Sequence, residues 1–360
     1  MTPVSLGIPT IRQQPPGDDG ADPFAAGPLV DTFGRVHRDL RVSLTDKCSL
    51  RCTYCMPAEG VPWLPQREIL TTDEIVRVVS VAVRLGITEV RLTGGEPLLR
   101  ADITDVVARL TRLETVAGPL RVSLTTNGLR LPELMDELVA AGLERVNVSL
   151  DTVNAQRYHE LTRRERFAQA VAGVEAVQRS GLRPFKINAV AMRGVNDDEL
   201  CDLLRFAIAH EAELRFIEMM PLDAGHSWRR EQMVTAEEIL ASLGREFRLT
   251  PTGDRASSPA EVFQVNDGPH TVGVIGSVTR PFCGACDRVR LTADGQLRNC
   301  LFAREESDLR EILRGDAAAA EQDLQIARVM RAAILGKRAG HGINEPGFLQ
   351  PDRPMSAIGG

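Results

Sequence analysis

Residues 40–218 repeat one pattern six times: a short run of β-branched and aliphatic residues precedes a segment with apolar residues at helical spacing. The runs predict strands at Leu40–Thr45, Glu89–Thr93, Arg121–Thr125, Arg145–Leu150, Phe185–Ala191 and Glu213–Glu218. The segments between them predict helices at Thr72–Leu85, Asp102–Leu113, Pro132–Ala141, Arg166–Ser180 and Asp197–His210. Such alternation indicates a parallel sheet with right-handed crossovers, curled as a partial or complete barrel. We predict an α/β fold built on a partial (β/α)6-type TIM barrel.

The pattern differs at both ends of the chain. Residues 1–30 combine Gln, Pro, Gly and Asp with little periodic apolar content, which predicts a mobile leader. After about residue 250, alternating residues predict strands at Val262–Val265, Val272–Ile275, Val289–Leu291 and Gln296–Asn299. We therefore predict a barrel over residues 31–250 and a smaller C-terminal α+β extension over residues 251–360 that covers the barrel mouth.

Six of the seven cysteines form two triads. The first is a C-x3-C-x2-C run of Cys48, Cys52 and Cys55, and the second is a C-x2-C-x13-C run of Cys283, Cys286 and Cys300. A structural zinc site closes with four ligands, whereas a three-cysteine iron–sulfur cubane leaves one iron free to bind another molecule. Two metal sites that each have one cysteine too few to enclose a metal predict that the chain carries out a metal-dependent reaction.

Zinc is the alternative for each triad. The first triad could be a zinc knuckle with a distant fourth ligand, and the second could be a structural zinc site completed by His270 or His341. Both histidines are otherwise typical of ordinary surface or core positions. The seventh cysteine, Cys201, lies alone in a predicted helix and is most simply a small packed residue.

Unusual residues follow the predicted strands, where barrel enzymes place their chemistry. The first triad follows the first strand, and Thr93-Gly94-Gly95-Glu96-Pro97 ends the second. Paired glycines permit close approach of a ligand, and a carboxylate can hold a substrate ammonium group. Lys186 alternates with core positions in the fifth strand, so it is expected to point inward at a cost unless it is paired.

The first triad, with Tyr54 before its third cysteine, and the Gly94-Gly95-Glu96-Pro97 strand end resemble the radical S-adenosylmethionine superfamily. The second triad, the Cys283–Thr292 segment and the terminal Gly359-Gly360 resemble the GTP 3′,8-cyclases of molybdenum cofactor biosynthesis. The resemblance extends from about Phe33 to Gly360. It implies two [4Fe-4S] clusters, S-adenosyl-L-methionine as cofactor, and conversion of GTP to (8S)-3′,8-cyclo-7,8-dihydroguanosine 5′-triphosphate.

The same resemblance implies how the two small molecules are bound. For S-adenosylmethionine it implies backbone contacts from Tyr54 and Met220, a contact of Gly95 with the methionine moiety, and a polar contact from Ser149. For GTP it implies the second cluster, together with Arg41, Arg91, Thr125, Lys186, Arg288, the Val289 backbone and Arg290. Taken singly, an arginine at a strand end is more often a surface ion-pair partner, and a methionine after a strand is usually core filler.

The chain ends in Gly359-Gly360. A terminal glycine pair is ordinarily a frayed end. The resemblance implies instead that the pair inserts into the active-site region and supports turnover, and the absence of a side chain suits glycine to a packed cavity.

Charge and hydropathy limit the partners. The formal net charge of -6 argues against bulk binding to nucleic acid, and no apolar run approaches the roughly 18 residues that span a membrane. Clustered cysteines in odd number, with no apolar signal segment, favour a reducing cytoplasmic location. The resemblance also implies an electron donor and a downstream cyclic pyranopterin monophosphate synthase. The sequence leaves the oligomeric state open, with a homodimer among the alternatives.

Two alternative functions remain at this stage. One is another twin-cluster radical enzyme, such as a peptide-modifying maturase, whose extension would carry additional cysteines. The chain has only three cysteines after Cys201 and ends in Gly-Gly, which disfavours this class. The other is a non-enzymatic zinc-binding interaction protein, which would leave the Gly94-Gly95-Glu96 strand end without a purpose.

Overall fold

The computed structural model describes residues 22–253 and 255–359, together with the backbone of Ile11–Arg12. Within these ranges the strands are β1 (Ile11–Arg12), β2 (Asp39–Ser43), β3 (Glu89–Thr93), β4 (Glu114–Thr115), β5 (Gly118–Pro119), β6 (Arg121–Thr126), β7 (Arg145–Ser149), β8 (Phe185–Ala191), β9 (Glu213–Glu218), β10 (Leu249–Pro251), β11 (Glu261–Val265), β12 (Thr271–Ile275), β13 (Arg288–Leu291), β14 (Gln296–Arg298) and β15 (Glu305–Asp308). The α-helices are α1 (Thr72–Arg84), α2 (Ile103–Leu110), α3 (Leu131–Ala140), α4 (Ala155–Thr162), α5 (Phe167–Ser180), α6 (Leu200–Ala209), α7 (Ala236–Leu243), α8 (Leu309–Leu313), α9 (Ala319–Leu335) and α10 (Met355–Ile358).

One large sheet contains all of these strands except the small hairpin of β4 and β5. Its order is β1-β15-β14-β13-β2-β3-β6-β7-β8-β9-β12-β11-β10. Every neighbouring pair from β13 to β12 is parallel, and antiparallel strands flank this run on both sides. The predicted α/β class is confirmed as a mixed α/β fold with a large parallel sheet, consistent with a partial barrel and a C-terminal extension.

Alternation along the strands separates an apolar layer from a polar cavity. In β8, Phe185 and Ile187 are fully buried, whereas Lys186 and Asn188 face the cavity. The helices cover the apolar layer; α1, for example, begins with a capping box and buries one aliphatic face. The sheet therefore excludes water on one side and presents polar side chains on the other.

All six predicted strands of the repeat form, and β3, β8 and β9 have the predicted ends. The five predicted helices also form, with ends shifted by at most three residues. The helix α4 was not predicted, because its apolar residues are few and its polar face is wide. The four predicted C-terminal strands are β11 to β14.

The C-terminal strands do not form a sheet of their own. Strand β12 pairs in parallel with β9, and β13 pairs in parallel with β2, so the region after residue 250 extends the main sheet at both edges. Sequence alternation could not indicate this arrangement, because strand pairing between distant segments is decided by tertiary contacts. The domain boundary at about residue 250 stays a prediction.

Part of the predicted leader is packed. Leu29 is buried, its amide donates to Leu85 O (2.9 Å), and Arg331 donates to the carbonyls of Pro23, Gly27 and Pro28. The packed fold thus begins at Pro23 at the latest, earlier than the predicted boundary at residue 31, because these contacts come from segments distant in sequence. Residues 1–10 and 13–21 lie outside the described residues.

Among the helices described, none has the length and apolarity needed to cross a membrane.

We predict that Gly173→Ala destabilises the fold. A Cβ atom at Gly173 in α5 would lie 2.2 Å from the carbonyl oxygen of Gly128 in the loop after β6. Overpacking of this kind lowers the free energy of unfolding by about 1–3 kcal/mol, more than alanine gains in helix propensity. Urea unfolding of the variant should show this loss. The exposed control Glu175→Ala in the same helix should stay within about 0.5 kcal/mol of the unsubstituted protein, and an equal loss in both variants would contradict the prediction.

Candidate active site

A single cavity of about 500 Å³ collects the strand ends and the inward-facing side chains. The carboxyl ends of parallel strands meet at one edge of a sheet, so residues from six successive strands converge there. The volume lies in the range typical of small-molecule sites.

The first triad lies in the loop after β2, and Cys48, Cys52 and Cys55 all line the cavity. The loop is folded by the Cys55 amide donating to Cys52 O (2.9 Å). Burial raises the pKa of Cys48 to about 11 and that of Cys55 to about 12, and it raises the pKa of Cys52 well above its ordinary value. Three buried thiols become thiolates together only beside a strong positive charge, so this donor set fits a metal cluster.

The glycine pair after β3 seats this loop. A Cβ atom at Gly94 would lie 2.5 Å from Thr45 O, and one at Gly95 would lie 2.4 Å from both Asp46 O and Lys47 O. The Gly95 amide also donates to Thr45 O (2.7 Å). The two glycines are therefore required by the backbone of the cysteine loop, a reason that the sequence analysis did not identify.

Glu96 is held by the protein itself. Its carboxylate accepts hydrogen bonds from Thr126 Oγ1 (2.7 Å), the Asn127 amide (2.7 Å) and the Leu98 amide (3.0 Å), and the side chain is buried. Burial raises the pKa of this carboxyl. Glu96 joins the ends of β3 and β6 at the cavity wall.

Tyr54 is also fixed at the wall. Its hydroxyl donates to Asp151 Oδ2 (2.7 Å), and the Val190 amide donates to Asp151 Oδ1 (2.8 Å). Burial raises the pKa of Asp151 to about 6. The hydrogen bonds therefore connect the first cysteine loop to β7 and β8.

The second triad belongs to the C-terminal region. Cys283 begins a 3-10 turn in which the Cys286 amide donates to Cys283 O (3.2 Å), and Cys300 follows β14. Among the described residues that line the cavity, these cysteines are absent, but their neighbours Phe282, Asp287 and Leu301 are present. The second triad thus lies beside the cavity.

The chemistry of the second donor set also fits a cluster. Burial raises the pKa of the Cys283 thiol. Burial acts in the same direction on Cys286, but the Lys337 ammonium and the Arg288 guanidinium lower its pKa overall. Within residues 22–253 and 255–359, no three His, Cys, Asp or Glu side chains are arranged to hold a single metal ion. Each cysteine of a cubane binds a different iron, so single-ion geometry is not required of either triad.

Basic side chains outnumber acidic side chains along the cavity wall in the described part of the chain. The cationic residues are Arg41, Arg91, Arg145, Lys186, Arg215, Arg288 and Arg290. The acidic residues are Asp39, Glu89, Glu96, Asp151 and Asp287. The wall thus carries seven cationic and five acidic side chains, and one of the acids, Glu96, is already bonded to donors of the protein. The excess of positive charge favours the binding of an anion.

Strand register brings three arginines together. Arg290 in β13 pairs with Arg41 in β2, which pairs with Arg91 in β3. Burial lowers the pKa of Arg91 and of Arg290 to about 9, and the neighbouring Arg41 contributes in the same direction. Among the described residues, Arg91 Nε and Nη1, Arg41 Nε and Arg145 Nε have no hydrogen-bond acceptor. Buried guanidinium nitrogens without partners are suited to an anionic ligand.

Lys186 points into the cavity, as its alternation predicted. Its Nζ lies 3.8 Å from Glu213 Oε1, and burial lowers its pKa to about 8, with the nearby Arg215 acting in the same direction. The carboxylate of Glu213 thus offsets part of the cost of this inward charge.

Most of the residues singled out in the sequence analysis reach this one cavity. Those lining it are Cys48, Cys52, Cys55, Tyr54, Gly95, Ser149, Met220, Arg41, Arg91, Thr125, Lys186, Arg288 and Arg290. The Val289 side chain is buried on the other face of β13, and it is not among the lining residues described. The individual roles assigned to these residues stay predictions.

The C-terminal tail also enters the site. The Met355 amide donates to Leu222 O (2.9 Å), Met355 and Ser356 line the cavity, and Arg290 Nη1 donates to Gly359 O. Gly359 has φ +82°, and a Cβ atom there would lie 2.4 Å from Thr93 Oγ1, so only glycine fits. Gly360 lies outside the described residues.

Sequence reasoning missed several members of the wall. Arg145 and Arg215 face the cavity from β7 and β9, and Met355 and Ser356 reach it from the tail. The alternation argument that singled out Lys186 applies equally to Arg145 and Arg215, so a signal for these two was present. No local signal marked the tail residues, because their position depends on contacts with distant strands.

Two family models match the chain. One is described as the radical SAM superfamily and covers residues 42–207, and the other is described as Molybdenum Cofactor Synthesis C and covers residues 212–343. Among solved structures, Streptococcus suis SuiB has a TM-score of 0.55 at 15% identity, covering 87% of this chain and 68% of that chain. SuiB bound to its precursor peptide SuiA has a TM-score of 0.54 at 14% identity, covering 85% and 69%. These structures share the fold.

The relatives with much higher sequence identity are named GTP 3′,8-cyclases. The GTP 3′,8-cyclase of Streptomyces coelicolor is 58% identical over 92% of this chain and 96% of its own length. The GTP 3′,8-cyclase of Mycolicibacterium smegmatis is 52% identical over 100% of both chains. Identity above one half over almost the whole length, with both family models in sequence, means that the chain belongs to the GTP 3′,8-cyclase family of the radical S-adenosylmethionine superfamily.

Proposed function

We propose that this chain is a GTP 3′,8-cyclase that converts GTP to (8S)-3′,8-cyclo-7,8-dihydroguanosine 5′-triphosphate, the first step of molybdenum cofactor biosynthesis. The observation that carries the proposal is one cavity whose wall joins the first cysteine triad to buried guanidinium nitrogens that have no acceptor in the described part of the chain. A radical reaction on a nucleoside triphosphate requires a metal site that can transfer an electron, close to a site that binds the triphosphate anion. The similarity of the chain to cyclases over nearly its full length favours GTP, rather than a peptide, as the substrate.

The proposal includes two [4Fe-4S] clusters, one held by Cys48, Cys52 and Cys55 in a partial barrel and one held by Cys283, Cys286 and Cys300 in the C-terminal extension. Held by Cys48, Cys52 and Cys55, the first cluster would supply the electron that cleaves S-adenosyl-L-methionine, and the cofactor would supply the radical chemistry at the 3′ position of GTP. The second triad leaves one coordination position for the guanine base. The protein contributes binding, orientation and exclusion of water.

The triphosphate is proposed to bind the basic wall. Arg41, Arg91 and Arg290 lie in register on three adjacent strands, so their forks can bond several phosphate oxygens together. Lys186 adds a cation from β8, and Arg288, Thr125 and the Val289 backbone complete the proposed GTP contacts. Binding an anion there offsets the repulsion among these buried cations.

S-adenosylmethionine is proposed to bind beside the first triad. Backbone groups of Tyr54 and Met220 would hold the adenine, while Gly95 and Ser149 would contact the methionine moiety and a polar group of the cofactor. The hydrogen bond from Tyr54 to Asp151 fixes one side of this position before the cofactor arrives. Rigid walls of this kind reduce the entropy lost on binding.

Further partners follow from the family. We propose an electron donor that reduces the clusters, a downstream cyclic pyranopterin monophosphate synthase that consumes the cyclised nucleotide, and a homodimeric state. Their contact surfaces on this chain are not assigned.

The first test compares the two triads. After anaerobic reconstitution with iron and sulfide, the unsubstituted protein should form 5′-deoxyadenosine and cyclised nucleotide together, both measured by mass spectrometry. Serine at all three positions of the first triad should abolish both products, whereas serine throughout the second should impair GTP binding and cyclisation more than cluster formation at the first. Persistence of GTP-coupled cofactor cleavage without the first triad would disprove the assignment, and 5′-deoxyadenosine without any GTP product would disprove the substrate.

A second test concerns Arg91, whose buried Nε and Nη1 have no acceptor among the residues that the structure describes. Arg91→Ala should weaken GTP binding by roughly 1.5–3 kcal/mol, because charge-assisted hydrogen bonds to phosphate are lost. Arg91→Lys should recover only part of the lost affinity, since lysine lacks the planar guanidinium fork. Equilibrium dialysis measures the affinity, and Arg179→Ala on the exposed face of α5 is the matched control. Unchanged affinity in Arg91→Ala would place the triphosphate elsewhere.

A third test concerns the tail. Gly359→Ala should leave iron loading intact but reduce cyclised product roughly tenfold or more, because alanine at φ +82° costs about 1–3 kcal/mol and would collide with Thr93. Gly225→Ala is the control, since its Cβ atom would meet only Asp223 Oδ2 at 3.6 Å. Full turnover by Gly359→Ala would show that the tail contact is dispensable.

A further inference from the structure

We propose that Lys337 is the charge partner of the second cysteine triad: its ammonium donates a hydrogen bond to Cys286 Sγ and raises the reduction potential of the cluster held there. The inference rests on the proposed function, which places a cluster at this triad. Lys337 Nζ lies 3.6 Å from Cys286 Sγ and 2.7 Å from Arg288 O, and the residue is 5% exposed. Neither the sequence motifs nor the family resemblance singled out this lysine.

The charge environment of Lys337 identifies its anionic partner. Among the described residues, no Asp or Glu oxygen lies within ion-pair distance of Lys337, whereas the buried Arg35, Arg288 and Arg298 each have such a partner. Of the groups bonded to its ammonium in the described part of the chain, the Cys286 sulfur is the one that can carry a negative charge. A buried ammonium without a counter-ion is costly, so this position is suited to a protein whose cysteines are thiolates bound to iron.

The lysine is fixed relative to the cysteines by backbone contacts. It follows α9, and its amide donates to Ile334 O (3.0 Å). The next two residues are tied to the cysteine turn, because the Arg35 guanidinium donates to Arg338 O (2.7 Å) and Ala339 O (3.2 Å) and also to Cys283 O (2.6 Å). Arg35 is in turn held by Asp31, with Nε 2.5 Å from Oδ2. Lys337 is therefore positioned rather than free to turn away.

The expected effect on the cluster follows from electrostatics. Reduction adds one negative charge to a site that already carries three thiolates. A cation and an N–H donor at one of the sulfurs stabilise the reduced form more than the oxidised form, which raises the potential. Lys337 is thus a positioning and tuning residue that acts through Cys286, not a group that touches GTP.

The test replaces the ammonium while keeping the length of the side chain. Lys337→Met removes the charge and the donors, and Lys337→Arg keeps both. In the full-length chain with serine at Cys48, Cys52 and Cys55, only the second cluster contributes to the spectrum. Its midpoint is then measured by redox titration monitored by electron paramagnetic resonance. We expect Lys337→Met to disfavour reduction at least tenfold at a fixed potential, which is about 59 mV for one electron, and Lys337→Arg to stay close to the unsubstituted value.

Thermal unfolding distinguishes this role from a structural one. In the metal-free chain, Lys337→Met should leave Tm unchanged or raised, because it removes a buried charge that has no counter-ion. The gain in Tm on cluster loading should be smaller than in the unsubstituted protein. If the variant instead loads no second cluster while its metal-free Tm is retained and Lys337→Arg loads normally, the charge-partner role is equally supported.

Two results would overturn the inference. A midpoint unchanged in Lys337→Met would exclude tuning by the ammonium, and an equal fall of Tm in the metal-free and loaded proteins would show that the lysine serves only to bond Arg288 O. Absence of any cluster at the second triad of the unsubstituted protein would overturn the proposed function itself, and the role of Lys337 with it.

Discussion

The parallel pairing of β13 with β2 is the contact on which the rest of the candidate site depends. It sets Arg288 opposite Asp39 and Arg290 opposite Arg41, and it joins a strand preceded by Cys286 to a strand followed by the Cys48 loop. Two cysteine segments more than two hundred residues apart in the chain thereby become neighbours of one cavity. The tail depends on the same pairing, because Arg290 holds the Gly359 carbonyl.

This arrangement concentrates positive charge in a place with little water. The three arginines in register repel one another, and burial lowers the pKa of Arg91 and Arg290. Such a wall is tolerated because the opposite face of the sheet is a continuous apolar layer under the helices, which stabilises the fold independently. Buried guanidinium nitrogens without acceptors lower the stability of the fold, and they favour the binding of an anion. Binding sites commonly reduce the stability of their scaffold in this way.

Much of this was accessible from the sequence. The alternation of Phe185, Lys186 and Ile187 predicted both a strand and an inward lysine, and the strand ends predicted where the first triad would lie. Prediction was weaker where packing decides. The glycine pair after β3 accommodates the cysteine loop, Glu96 is saturated by internal donors, and residues 22–30 pack against α1 and α9. Each of these depends on a neighbour that is distant in the chain, and propensity and periodicity describe only near neighbours.

The sequence by itself determined the α/β class, the two three-cysteine sets and the family, because residue type, spacing and hydrophobic period are local properties. Only the tertiary structure decided that β12 and β13 extend the two edges of one sheet, that Met355 and Ser356 of the tail reach the cavity, and that Lys337 lies against Cys286. For the strands the physical reason is register, because backbone hydrogen bonds between distant strands fix which side chains share a face, and a shift of one residue would reverse that assignment. The tail and Lys337 are placed instead by contacts with segments distant in the chain, which local sequence patterns do not encode.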